Sequence, residues 1–145
     1  MTPNDLKRFG ILAELSNDDR EALIELLDRK VFRKGRSIYR ETAEADGLVL
    51  VASGEVRLSS RRCADLGTLG EGSVLGGASL LSLGQREATV KAEADCEVLL
   101  LARSSYRRLV EDYPRTACRL TEAIASDLAA LLRESLDSLT PDIFG

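Results

Sequence analysis

The chain has 145 residues, with 20 lysines and arginines against 24 aspartates and glutamates and a formal charge of −4. That length suits one domain with a real core, and the mild acidity offers no global field for nucleic acid or an anionic membrane. No histidine is present, which removes the commonest general base and metal ligand and any Ser-His or Cys-His dyad. Nothing pairs two acids around a pocket, so neither an enzyme nor a metal site is expected.

No apolar run approaches the ~20 residues of a membrane span, and the opening residues lack the apolar stretch of a signal peptide, so a cytoplasmic location without membrane contact is expected. Cys63, Cys96 and Cys118 are odd in number and widely spaced. This argues against a disulfide framework and reads as buried or incidental thiols. Cys63, beside Arg61 and Arg62, is the exception, because those cations would favour its thiolate if it is exposed.

Taken in order, residues 1–29 read as N-terminal helices. Asn4 to Gly10 predicts a short turn, and Ser16 caps a helix through Asn17-Asp18-Asp19 with Leu23, Ile24, Leu26 and Leu27 as its buried stripe, running to about Arg29. From Lys30 the period becomes that of strands. Val31 to Arg33 and Ser37 to Arg40, joined at Lys34-Gly35, predict a first antiparallel pair. Gly47 to Ala52 is a continuous apolar run suited to a central strand, and Ser53-Gly54 predicts a hairpin into Glu55 to Ser59. Ser60 to Ala64 reads as an exposed tip. Five glycines then fall between positions 67 and 77, most of them suited to tight corners.

Ala88 to Ala92 and Cys96 to Ala102 close the strand region 30–102, and helices occupy 103–139. Ser104 and Ser105 are expected to cap the first of these. Pro114 opens the second, expected over about Arg115 to Ser138 and ended by Pro141. Its apolar positions, including Leu120, Ile124, Leu128, Leu131, Leu132 and Leu136, step by three and four along one stripe. The stripe reads as packing on its own domain or as a homodimer through Leu120, Ile124, Leu128, Leu131 and Leu132, the two serving at different heights, or as packing against another protein; the homodimer is expected, because Leu128 onward should lie beyond the reach of the domain. The fold class is therefore α+β, a single domain over 1–145. Antiparallel strands lie between N-terminal helices and a long C-terminal helix, with a short apolar helix among them.

The stretch 75–92 carries the chemistry. Gly76 and Gly77 let backbone approach a ligand, Ala78 to Leu81 makes a short turn, and Arg86 returns with five donors in a rigid fork. The order resembles the phosphate-binding cassette of cyclic-nucleotide-binding domains, Phe-Gly-Glu-Leu-Ala-Leu, a variable loop, then Pro-Arg-Ala-Ala-Thr-Val-x-Ala. Leu75-Gly76, Leu80, Arg86, Ala88-Thr89-Val90 and Ala92 match it, and the strands from Lys34-Gly35 to Leu58 resemble the opening strands of that family's roll, so the resemblance implies an α+β fold built on an antiparallel β-roll, jelly-roll-like, with N-terminal helices, a short cassette helix and a long C-terminal helix. The resemblance implies Gly76, Gly77, Ala78, Arg86, Glu87, Ala88 and Thr89 as the ligand-binding set, with Arg86 on the cyclic phosphate of cyclic AMP or cyclic GMP. No other cofactor is required.

Three positions depart from the pattern. Gly77 stands where the family's glutamate holds the ribose, Gln85 where it has proline, and Glu87 where a small residue follows the arginine. Loss of the glutamate removes a charged hydrogen bond of about 1.5–3 kcal/mol, roughly ten- to a hundredfold in affinity, and Glu87 would repel the phosphate or pair with Arg86 unless its side chain turns outward along the strand. Two readings remain: a regulatory module with a degenerate pocket that works through homodimer and protein contacts, or a sensor that still binds a cyclic nucleotide or another phosphorylated small molecule through Arg86. Related bacterial regulators continue into a helix-turn-helix. This chain ends at Gly145 soon after its helix, so direct DNA binding is not expected.

Overall fold

A computed structural model describes residues 1–82 and 84–139. After a 3-10 turn at Pro3–Arg8 come α1 (Gly10–Ala13) and α2 (Asn17–Ile24). The strands are β1 (Asp28–Phe32), β2 (Ser37–Tyr39), β3 (Gly47–Ser53), β4 (Glu55–Ser59), β5 (Gly67–Gly70), β6 (Val74–Leu75), β7 (Thr89–Ala92) and β8 (Cys96–Ala102). Between β6 and β7 lies α3 (Ala78–Leu81), and α4 (Arg103–Asp112) and α5 (Pro114–Leu139) finish the fold. The strands form two antiparallel four-stranded sheets, ordered β1-β8-β3-β6 and β2-β7-β4-β5, so the α+β roll with its flanking helices is the observed architecture.

Side-chain alternation on the two central strands explains how the layers stack. On β3, Leu48, Leu50 and Ala52 face the helices, whereas Val49 and Val51 face the other sheet. On β8, Leu99 and Leu101 meet the helices, and Cys96 and Val98 turn inward. A strand covered on both faces needs apolar residues at successive positions, which is why Gly47 to Ala52 reads as an unbroken run. The larger leucines fill the helix side, and the β-branched valines pack between the sheets.

Four local expectations are corrected. The segments around Val31 and Ile38 do not pair with each other, because β1 joins β8 and β2 joins β7. Likewise β3 and β4 are not a hairpin, since Gly54 carries the chain from one sheet to the other. Its φ is +85°, and a Cβ there would meet the Asp95 carbonyl at 2.4 Å, so only glycine makes this corner. The second helix stops at Ile24, and Asp28 already pairs with Leu100. Ser104 and Ser105 lie inside the first turn of α4, whose cap position is Ala102. Pro141 lies outside the described residues.

Helix α5 is tied to the N-terminal helices through a buried acid. Ser16 caps α2, and its amide donates back to Asp19 Oδ2 at 3.2 Å. Asp19 Oδ1 also accepts from Thr116 Oγ1 at 2.5 Å and Arg119 Nη1 at 2.9 Å, with its side chain only 4% exposed. Beside it, buried Arg20 donates to the carbonyls of Leu12, Ala13 and Leu15, closing the end of α1 onto α2. A connection between α4 and α5 comes from Tyr106 and Thr121, whose hydroxyls are hydrogen-bonded. None of the described helices is long and apolar enough to cross a membrane.

Burial opposes ionisation of Asp19, but the donors from Thr116, Ser16 and Arg119 outweigh it and hold the carboxyl below its ordinary value of 3.8. Its folded-state pKa is depressed, so its contribution is complete above pH ~4 and is lost as pH falls through the folded value. Asp19→Ala is expected to cost about 2–3 kcal/mol in urea unfolding at pH 7, with the difference from the parent shrinking toward pH 3. An undiminished difference at pH 3 would refute the ionic part of this account.

Candidate ligand cleft around Arg86

The cassette is held in place by the loop between β2 and β3. The Arg86 amide donates to the Ala43 carbonyl at 2.7 Å, the Thr42 amide donates to the Arg86 carbonyl at 2.8 Å, and the Ala45 amide donates to Gly84 at 2.9 Å. Thr42 adopts φ 69° to make these bonds, an uncommon conformation for a residue with a branched side chain. Arg86 therefore has a fixed backbone before its side chain is considered. The segment 42–46, which reads from sequence as a polar connection, is a structural clamp on the site.

The Arg86 side chain is buried, and its exposure of 7% belongs to a group that must stay charged. Nη2 donates to the Gly47 carbonyl at 2.9 Å, and the guanidinium lies over the Tyr39 ring, 4.1 Å from its centroid. Gly47 O also accepts from Ser79 Oγ at 2.6 Å, so one carbonyl joins β3, α3 and Arg86. Gly76 makes room for the arrangement. At φ +75° it turns the chain into α3, and a Cβ there would lie 2.3 Å from Arg86 Nη1 and 3.0 Å from Gly47 O.

Among the described residues no carboxylate lies within ion-pair distance of Arg86. Glu87 is exposed and does not neutralise its neighbour. Burial works against the Arg86 charge, with partial compensation from Tyr39 and Asp46. The same burial pushes the Tyr39 phenol up, Arg86 opposing this and Glu87 reinforcing it. A buried cation with one carbonyl partner and an aromatic face retains donors for an anion.

A cleft of about 440 Å³ opens beside these groups, lined by Gly76, Gly77, Ala78, Arg86, Glu87 and Ala88 together with Tyr39, Leu58, Ser79 and Leu128. Six of the seven ligand-site residues inferred from sequence thus meet there. Thr89 does not. Its hydroxyl accepts from the Glu41 amide at 2.9 Å and holds the edge of β2. Tyr39, Gly47 and Ser79 were not legible as site residues, because nothing in their local pattern points across the roll.

Helix α5 also departs from expectation. Leu120 and Ile124 are 0% and 2% exposed, and both belong to the chain's own core, so neither is available to a dimer contact. A Cβ at Gly77 would lie 3.1 Å from Ile124 Cγ2, because the helix presses on the cassette. Leu128 still lines the cleft, so the helix rests on the roll farther along than its spacing suggests. Leu131, Leu132, Leu136 and Leu139 are 52%, 61%, 47% and 77% exposed.

The family model for the cyclic nucleotide-binding domain matches residues 29–113. The chain belongs to this family. It is 32% identical over 135 residues to the cyclic AMP receptor protein of Thermus thermophilus, covering 90% of this chain and 59% of that protein. The crystal structure of Thermus thermophilus catabolite activator protein superposes with a TM-score of 0.78 at 30% identity, over 90% of this chain and 61% of that one. A cAMP-dependent protein kinase regulatory subunit of Eremothecium gossypii is 30% identical over 105 residues, 72% of this chain and 23% of that protein. The chain therefore spans less than two thirds of these relatives. Within the cyclic-nucleotide-binding fold, the cleft described here falls on the cassette.

Gly76→Ala is expected to destabilise the domain by about 1–2 kcal/mol through its left-handed backbone alone. It should also displace the Arg86 side chain. A crystal structure of the variant with Arg86 Nη2 still on Gly47 O would contradict that second effect.

Proposed function

We propose that this chain is a non-enzymatic regulatory module that binds a cyclic nucleotide through Arg86 and acts as a homodimer or on a protein partner through the exposed end of α5. The observation that carries the reading is the buried Arg86 guanidinium, without a carboxylate partner among the described residues. Removing a charge from water costs several kcal/mol unless it is paired, and a cyclic phosphate in the adjoining cleft would supply that pairing in bidentate form. Exposed Glu87 leaves the arginine available, which favours the sensor over the self-neutralised pocket.

The mechanism needs only groups already positioned. Gly47 O and the Tyr39 face orient the guanidinium, so little side-chain entropy remains to be lost on binding. Leu58 and Leu128 offer apolar surface to the rest of the ligand. Because Leu128 belongs to α5, ligand contact there would bias the helix whose outer leucines face solvent. Binding would then favour one placement of α5, the coupling that a regulatory output requires.

A second reading, a roll whose pocket has lost the nucleotide and which serves through its surface, draws support from Gly77. The residue sits against Ile124 where the family's ribose acid would stand, so a charged contact to the sugar is missing. Calorimetric titration with cyclic AMP and cyclic GMP separates the readings. The sensor predicts binding that Arg86→Gln weakens by roughly tenfold or more, whereas silence for both nucleotides leaves the surface reading. For assembly, Leu131→Glu combined with Leu132→Glu is expected to convert a dimer to a monomer in light scattering. A parent that is already monomeric would rule the dimer out.

A further inference from the structure

Arg86 and Tyr39 line two spaces. Besides the cassette cleft, they border an inner cavity of about 200 Å³ whose other lining residues are Lys30, Phe32, Ile38, Glu44, Asp46, Val49, Val98 and Leu100. Phe32, Ile38, Val49, Val98 and Leu100 all belong to or pack on the cluster between the sheets, and they come from β1, β2, β3 and β8. Lys30, Glu44 and Asp46 are exposed and stand at the rim. The cavity is thus apolar within and open to a polar mouth, and among the described residues its one buried charge is Arg86, which has no carboxylate within ion-pair distance and only the more distant Asp46 of the rim to favour its charge.

Size and chemistry together define what fits. An apolar cavity of ~150 Å³ holds a benzene-sized molecule, so this space accommodates a single ring or a short branched chain and is too small for a nucleotide. An apolar body alone would leave Arg86 with only the Gly47 carbonyl, the Tyr39 face and the more distant Asp46 to offset its charge, whereas an acid group would meet it with charge-assisted hydrogen bonds. We propose that the space between the two sheets is a binding site for a small aromatic or branched aliphatic acid, its ring or chain among Phe32, Ile38, Val49, Val98 and Leu100 and its carboxylate on Arg86. This inference goes beyond the nucleotide reading and does not depend on it. Where both ligands bind, they compete for one guanidinium.

The test is calorimetric titration of the full chain with acetate, benzoate, phenylacetate and the neutral isostere benzamide. Affinity is expected to rise roughly tenfold or more from acetate to phenylacetate as apolar area is buried, with benzamide weaker than benzoate by roughly tenfold. Leu100→Phe and Ile38→Phe, each filling the cavity from a different sheet, should each abolish phenylacetate binding. Either suffices if the other fails to fold. Absence of phenylacetate binding, equal affinity for acetate and phenylacetate, equal affinity for benzoate and benzamide, or unchanged binding in the filled variants would each overturn the proposal. Cyclic AMP titrated into the same two variants reads the cassette cleft separately, so failure of one reading is not mistaken for failure of the other.

Discussion

A charged guanidinium held away from water is the constraint around which this domain is arranged. Arg86 could not be tolerated at 7% exposure unless several elements supplied partial compensation, and they come from distant parts of the chain. Gly47 gives its carbonyl from the start of β3, Tyr39 its ring face from β2, and Gly76 the space a side chain would deny. The loop 42–46 fixes the arginine's backbone. Each of these groups has an ordinary structural task as well, and together they leave a cation whose remaining donors face a cleft. Such a group is costly in isolation and informative for that reason.

The helices extend this arrangement outward. Ile124 lies where a Cβ on Gly77 would crowd it, and Leu128 reaches the cleft. Farther toward the N-terminal end of α5, Thr116 and Arg119 hold the buried Asp19 carboxylate. One rigid element therefore touches the cassette and the N-terminal helices, and it carries exposed leucines beyond both. A ligand that alters the contact at Leu128 would be felt along that element, because packed helices shift as units rather than bending to absorb a local change.

Membership in the cyclic-nucleotide-binding family establishes the fold and the place of the cassette, while function depends on the particular side chains grafted there. Here Arg86 lies buried beside the cleft, and Gly77 packs against Ile124 of α5. Glu87 shows how two sequence readings are separated only by the fold. Adjacent to Arg86, it reads as an internal counterion unless it turns outward, and in the structure it lies at a bend and is exposed while Arg86 is buried.

Local periodicity, glycine placement and residue order within the cassette carry the short helix Ala78–Leu81, the long helix Pro114–Leu139 and six of the residues that line the cleft, and the resemblance of those residues to a known family carries the roll. Strand partnership was decided only in three dimensions. Lys34-Gly35 and Ser53-Gly54 look like hairpin turns locally, but the chain changes sheets at both, since pairing depends on which distant strand covers each apolar face. The same reason separates Leu120 and Ile124 from Leu131 and Leu132: one helical stripe carries all four, and only the position of the roll beneath it decides which are core and which remain exposed.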